Sequence, residues 1–128
     1  MRGMKKIIAL LAAALFIIPA MNAHAADKVL RHVVAFKFKS TATPDDIKKI
    51  ETEFRALAKK VHEVASYEWG TNNSPEGFAK GFTHCFFVTF KSEADRAVYL
   101  DHPDHKAFVK ILLPVLDEPF VLDYWAQE

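Results

Sequence analysis

Between residues 29 and 125 the spacing of apolar side chains switches in a fixed order, from every second residue to every third or fourth and back. A period of two belongs to strands and one of 3.6 to helices, so the order of periods is an order of elements. Strict alternation predicts a first strand from Val29 to Lys39, with His32, Val34, Phe36 and Phe38 on one face. Arg31, Val33, Ala35, Lys37 and Lys39 share the other. Thr43-Pro44-Asp45-Asp46 predicts a helix start: a hydroxyl cap, a proline in the first turn, and acids at the positive end of the dipole. Ile47, Ile50, Phe54, Leu57, Ala58 and Val61 follow as one apolar stripe. Tyr67 to Asn72 and Thr83 to Phe90 predict two further strands, joined through the turn-forming Asn73-Ser74-Pro75-Glu76-Gly77. Ser92-Glu93-Ala94-Asp95 opens a second helix with a capping-box pattern. Phe120 to Trp125 is the last strand, with Phe120, Leu122 and Tyr124 on one face and Val121, Asp123 and Trp125 on the other.

The order β-α-β-β-α-β in a short chain predicts an α+β, ferredoxin-like subunit: one antiparallel sheet with two helices on one face. Two helices cover one face only. The other face is expected to keep Val33, Ala35, Cys85, Phe87, Val121 and Trp125, too apolar a set for open solvent. A two-fold homodimer, sheet against sheet, closes it most simply. Cys85 is the single cysteine, so no intrachain disulfide forms, and its apolar neighbours Phe86, Phe87 and Val88 predict a buried thiol.

The second helix cannot be continuous. Tyr99-Leu100-Asp101-His102-Pro103-Asp104-His105 sets a phenol and two imidazoles around a proline, which lacks the next helical donor. One helical piece ends near Leu100 and another starts at Pro103, running on through Phe108, Ile111, Leu112 and Val115. Such a break turns polar side chains toward a cavity. His32 is the one polar interruption on its strand face and joins this group as a candidate. His102 and His105, three apart, could with His32 offer three nitrogens to a metal, but Pro103 spoils the spacing and no metal is assigned. His62 reads as a surface residue and His84 as a packing residue.

Residues 1–25 stand outside the domain, which occupies 26–128. Arg2, Lys5 and Lys6 precede an uncharged apolar run from Ile7 to Ile18, Pro19 breaks it, and Ala23-His24-Ala25 offers a cleavage pattern. This predicts a secretory signal peptide, a run too short for a stable membrane anchor, and a periplasmic or secreted product. Cleavage after Ala25 takes away three basic residues and no acid, leaving 14 basic against 16 acidic residues, a formal charge of −2. That balance argues against nucleic acid as a partner.

Arg31 to Lys39, Tyr67-Glu68-Trp69-Gly70, Gly81-Phe82-Thr83-His84, Tyr99 to His105 and Leu122-Asp123-Tyr124 together resemble the stress-responsive dimeric α/β-barrel (Dabb) family. The resemblance implies a ferredoxin-like subunit that pairs through its sheet into a barrel. The family includes plant stress-associated proteins and a plant polyketide cyclase whose pocket lies between sheet and helices. That branch implies roles for His32, Tyr99 and His105, all present here. It departs at Phe54, where the branch carries a tyrosine.

Three readings follow. The first is a binder of a small apolar or carbonyl-containing molecule, with His32, Phe54, Tyr99, His102 and His105 around it. The second is a cofactor-free cyclase or lyase with His105 as general base and His32 or Tyr99 donating to the developing oxyanion. The third is a purely structural dimer without ligand. None requires a cofactor.

Overall fold

The computed structural model describes residues 13, 14, 16 and 28–128; apart from those first three, the expected leader over residues 1–25 lies outside the described residues. The domain is built as β1 (Leu30–Phe38), α1 (Pro44–Lys60), β2 (Ser66–Thr71), β3 (His84–Phe90), α2 (Glu93–Asp101), α3 (Pro103–Leu112) and β4 (Leu116–Trp125). The four strands form one antiparallel sheet in the order β2-β3-β1-β4. This is the ferredoxin-like plan, with its second helix split in two.

Local chemistry sets the helix ends. The Thr43 hydroxyl accepts from the Asp46 N–H at 3.1 Å, and the Asp46 carboxylate accepts from the Thr43 N–H at 3.0 Å, a closed capping box. Pro44 takes the first turn, where its missing donor costs nothing. The Ser92 hydroxyl caps α2 by accepting from the Asp95 N–H at 3.0 Å, without the reciprocal bond of a capping box. Among the described residues no helix is long and apolar enough to cross a membrane.

The core lies between the sheet and the helices. Leu30, Val34 and Phe36 from β1 and Phe86, Val88 and Phe90 from β3 meet Ile50, Phe54 and Leu57 from α1 and Phe108 and Leu112 from α3. Phe54 stacks on Phe86 with centroids 4.3 Å apart and meets Phe108 edge-on at 4.9 Å. Truncating a ring so enclosed costs about 3–5 kcal/mol.

Three expectations are corrected. First, β4 begins at Leu116, four residues before the predicted Phe120, and so contains Pro119. β4 is an edge strand, paired only with β1, and an edge tolerates a residue without an N–H. Second, the faces of β4 are exchanged relative to the expectation. Directly opposed residues share a face, and the register sets Leu30 against Trp125, His32 against Asp123 and Val34 against Val121. Val121 and Trp125 therefore lie on the helix side, while Phe120, Leu122 and Tyr124 join Val33 and Ala35 on the open face, where all three are exposed. Third, Cys85 is exposed on that open face between Ala35 and Gly70, not buried in the core. Partial burial still pushes its thiol pKa up.

Candidate functional site

A cavity of about 360 Å³ lies between the helix side of β1 and β4 and the α2–α3 break, within the roughly 300–1,000 Å³ of small-molecule pockets. β1 contributes His32, Val34 and Phe36 at alternate positions, and β4 sets Asp123, Val121 and Pro119 opposite them. The cavity thus has a polar end at His32–Asp123 and an apolar end at Phe36–Pro119, separated by four strand residues or roughly 13 Å. Phe54, Phe108, Val109 and Leu112 line its helical wall. Leu100, Leu113 and Val121 line it and are also exposed, so its mouth is apolar.

His32 is buried, and its Nδ1 lies 2.7 Å from Asp123 Oδ1. A carboxylate oxygen accepts, so Nδ1 donates, and the second ring nitrogen, Nε2, is left for another partner. Arg96 Nη1 donates to the other carboxylate oxygen, Asp123 Oδ2, at 2.9 Å. A carboxylate held from both sides fixes the imidazole in one orientation. Arg96 precedes Tyr99 by three residues on α2, so both project from one helix face.

Tyr99 is the hub: its ring centroid is 6.0 Å from that of His32 and 4.8 Å from that of His105, edge-on to each. Burial, and then the neighbouring Tyr67, raise the Tyr99 hydroxyl pKa well above its ordinary value. It stays protonated and can donate. His105 is pushed the other way. Desolvation and then His32 hold its imidazole below the usual range, opposed by a hydrogen bond to the Leu100 carbonyl. His105 is therefore neutral at pH 7 and able to accept a proton.

The break in the helix produces this arrangement. α2 ends at Asp101, His102 adopts an extended backbone (φ −64°, ψ 137°), and Pro103 starts α3. The His102 Nδ1 accepts from the Asp104 N–H at 3.0 Å, capping α3. His102 does not line the cavity, in contrast to its expected place among the binding residues. A side chain at a cap bonds back to its own helix, whereas His105, one turn on, faces inward.

The structure brings His32, Phe54, Tyr99 and His105 together around one cavity. Asp123 and Arg96 were missed by the sequence reading. Asp123 carried a signal: an acid between Val121 and Trp125 interrupts an otherwise apolar face, just as His32 does on β1. Arg96 carried only its three-residue spacing from Tyr99. His84 lies elsewhere in the sheet, with Nδ1 2.7 Å from Thr83 Oγ1 and Nε2 3.0 Å from Glu51 Oε1, its ring parallel to that of Trp69. Among the described residues no group of three or more His, Cys, Asp or Glu side chains is placed to hold a metal ion. The groups present can donate and accept protons at one end of an otherwise apolar cavity.

Comparison with known proteins agrees with this architecture. The chain is 33% identical over 95 residues to the stress-response A/B barrel domain-containing protein HS1 of Arabidopsis thaliana, covering 74% of this chain and 87% of that protein. The solved hydroxynitrile lyase of Passiflora edulis is 31% identical, with a TM-score of 0.75 over 80% of this chain and 96% of its own. Olivetolic acid cyclase of Cannabis sativa is 23% identical over 95 residues, 74% of this chain and 94% of the cyclase. Three further solved structures sharing the fold, at 22–25% identity, are described as dimeric. The model of the stress responsive A/B barrel domain matches residues 30–126, the whole sheet with its helices, and the chain belongs to that family, Dabb.

Proposed function

We propose that the domain binds a small, mainly apolar carbonyl compound in this cavity and moves a proton at it without a cofactor. One observation carries the reading: among the described residues, the polar side chains that line the apolar cavity, His32, Tyr99, His105 and Asp123, gather at one end of it. The ligand's oxygen belongs at that end and its hydrocarbon along Val34, Phe36 and Phe108. His105 acts as base, the Tyr99 hydroxyl donates to the oxygen, and Asp123 holds His32 as a second polar contact.

Likeness to a hydroxynitrile lyase and, more distantly, to a cyclase supports proton transfer beyond mere binding. In the lyase direction His105 takes the hydroxyl proton of a cyanohydrin while the oxygen's electron pair forms the carbonyl. The bond to the nitrile carbon breaks with its pair on cyanide, which leaves as HCN with the proton from His105. Binding without turnover is the second reading, favoured by Phe54, a ring without the hydroxyl that the cyclase branch carries.

The leader motif supports export, and the exposed Phe120, Leu122 and Tyr124 beside Val33 and Ala35 support pairing of the open face with a second copy. The test is cleavage of mandelonitrile, followed by benzaldehyde absorbance, beside thermal unfolding with benzaldehyde. Release of benzaldehyde above the solvent rate carries the lyase reading. A raised midpoint without release carries binding alone, and neither response overturns both.

A further inference from the structure

Among the described residues, one buried side-chain polar atom has no hydrogen-bond partner: the hydroxyl oxygen of Tyr67. Buried polar groups are nearly always paired, so an unpaired one calls for an explanation. Tyr67 stands on β2 opposite Val88 of β3, and Val88 is fully buried, so the phenol projects to the helix side of the sheet. There its ring stacks on Phe54, with centroids 5.5 Å apart and planes within 25°. Phe54 in turn lines the cavity beside Tyr99. Phe90, two residues along β3 from Val88, packs against Tyr99 with centroids 5.2 Å apart, so Tyr67 stands behind Phe54 on the Tyr99 side of the cluster and is not itself a lining residue. The two phenols also sense each other, since Tyr67 contributes to the raised pKa of Tyr99. A phenylalanine at position 67 would fill the same apolar space without burying an idle donor.

We infer that Tyr67 is a positioning residue for the site, its O–H directed to the Tyr99 oxygen when Tyr99 donates to a ligand's carbonyl or oxyanion. This rests on the reading of the cavity as a carbonyl-binding site. A hydroxyl that donates becomes a better acceptor, and successive hydrogen bonds polarise one another in a low-dielectric interior. The relay Tyr67 to Tyr99 to ligand oxygen strengthens the last bond most when negative charge develops on that oxygen. It selects ligands with a strongly accepting oxygen over hydrocarbons of equal size. It also offers a hydroxyl from the sheet where Phe54 on α1 has none.

The experiment uses acetophenone as probe, with its carbonyl stretch read by infrared difference spectroscopy and its Kd by calorimetry, in wild type, Tyr67→Phe and Tyr99→Phe. Tyr67→Phe is expected to move the bound carbonyl stretch back toward its value in hexane and to weaken binding about tenfold. Its unfolding midpoint without probe is expected to equal or exceed that of wild type, because the atom removed has no partner. Tyr99→Phe should move the stretch further. If Tyr99→Phe moves the stretch and Tyr67→Phe leaves both stretch and Kd unchanged, the relay is overturned and the site stands. A fall in the midpoint of Tyr67→Phe overturns the relay too, since the protein itself would then be holding the hydroxyl. If wild type does not bind acetophenone, or neither variant moves the stretch, the carbonyl-site reading falls and the relay with it.

Discussion

The helix side of the sheet buries two histidines, and they stand in opposite conditions. His84 on β3 has both ring nitrogens engaged, by Thr83 and by Glu51, and lies against Trp69 and Phe38. His32 on β1 has one nitrogen held by Asp123 and sits at the end of a cavity. The two are equally buried, each 6% exposed. Burial alone thus does not separate a scaffold histidine from a site histidine. What separates them is whether every donor and acceptor has been used. A fully satisfied imidazole rigidifies its surroundings; one with a nitrogen left over beside an empty volume can meet a ligand.

Removing the proposed base should have the largest effect on the site. His105→Ala is expected to lower carbonyl-compound turnover by about 10²–10⁴-fold with the fold intact, read from steady-state rates beside circular dichroism. Asp123→Asn should follow, on the order of a hundredfold, because an amide can present the wrong hydrogen-bonding group to His32 Nδ1 and leaves Arg96 without its carboxylate. An unchanged rate in Asp123→Asn would erase the distinction between the two histidines. His84→Ala should do the reverse. It is expected to cost about 2–3 kcal/mol of stability, from lost packing and an unpaired Glu51, with probe affinity unchanged, read by denaturant unfolding and calorimetry.

The smallest effect is that of pH. Desolvation holds the His105 ring below the ordinary imidazole value of about 6.5. The unfolded chain therefore takes up this proton first as pH falls. Stability is full above about 6.5 and declines as pH drops from there toward the lowered folded value. The unfolding midpoint of wild type should fall more steeply across that window than that of His105→Gln, and activity should persist below the usual imidazole range before being lost.

Much of this is legible in the sequence alone. Asp45 and Asp46 after a proline, and Ser92 before Glu93, mark helix starts because caps are local chemistry. Pro103 marks the helix break because proline lacks a donor wherever it stands. Other features were legible only in part. Alternation in β4 separated Val121, Asp123 and Trp125 from Phe120, Leu122 and Tyr124, yet it carries no sign that says which set faces the helices. His102 and His105 look alike in sequence, and the difference between a capping ring and an inward ring depends on where the first turn of α3 begins. Cys85 looked like core because its neighbours are apolar, while its own face is the open one.

The sequence by itself determined the order of elements, the broken helix, the family and three of the four polar groups at the cavity's end: His32, Tyr99 and His105. Only the tertiary structure decided the fourth, Asp123, and with it the orientation of His32. The reason is physical: periodicity and capping depend on covalent geometry and near neighbours, whereas strand register is chosen by packing between segments 91 residues apart. A one-residue slip in that register turns Asp123 out of the cavity, and nothing local to either strand forbids it.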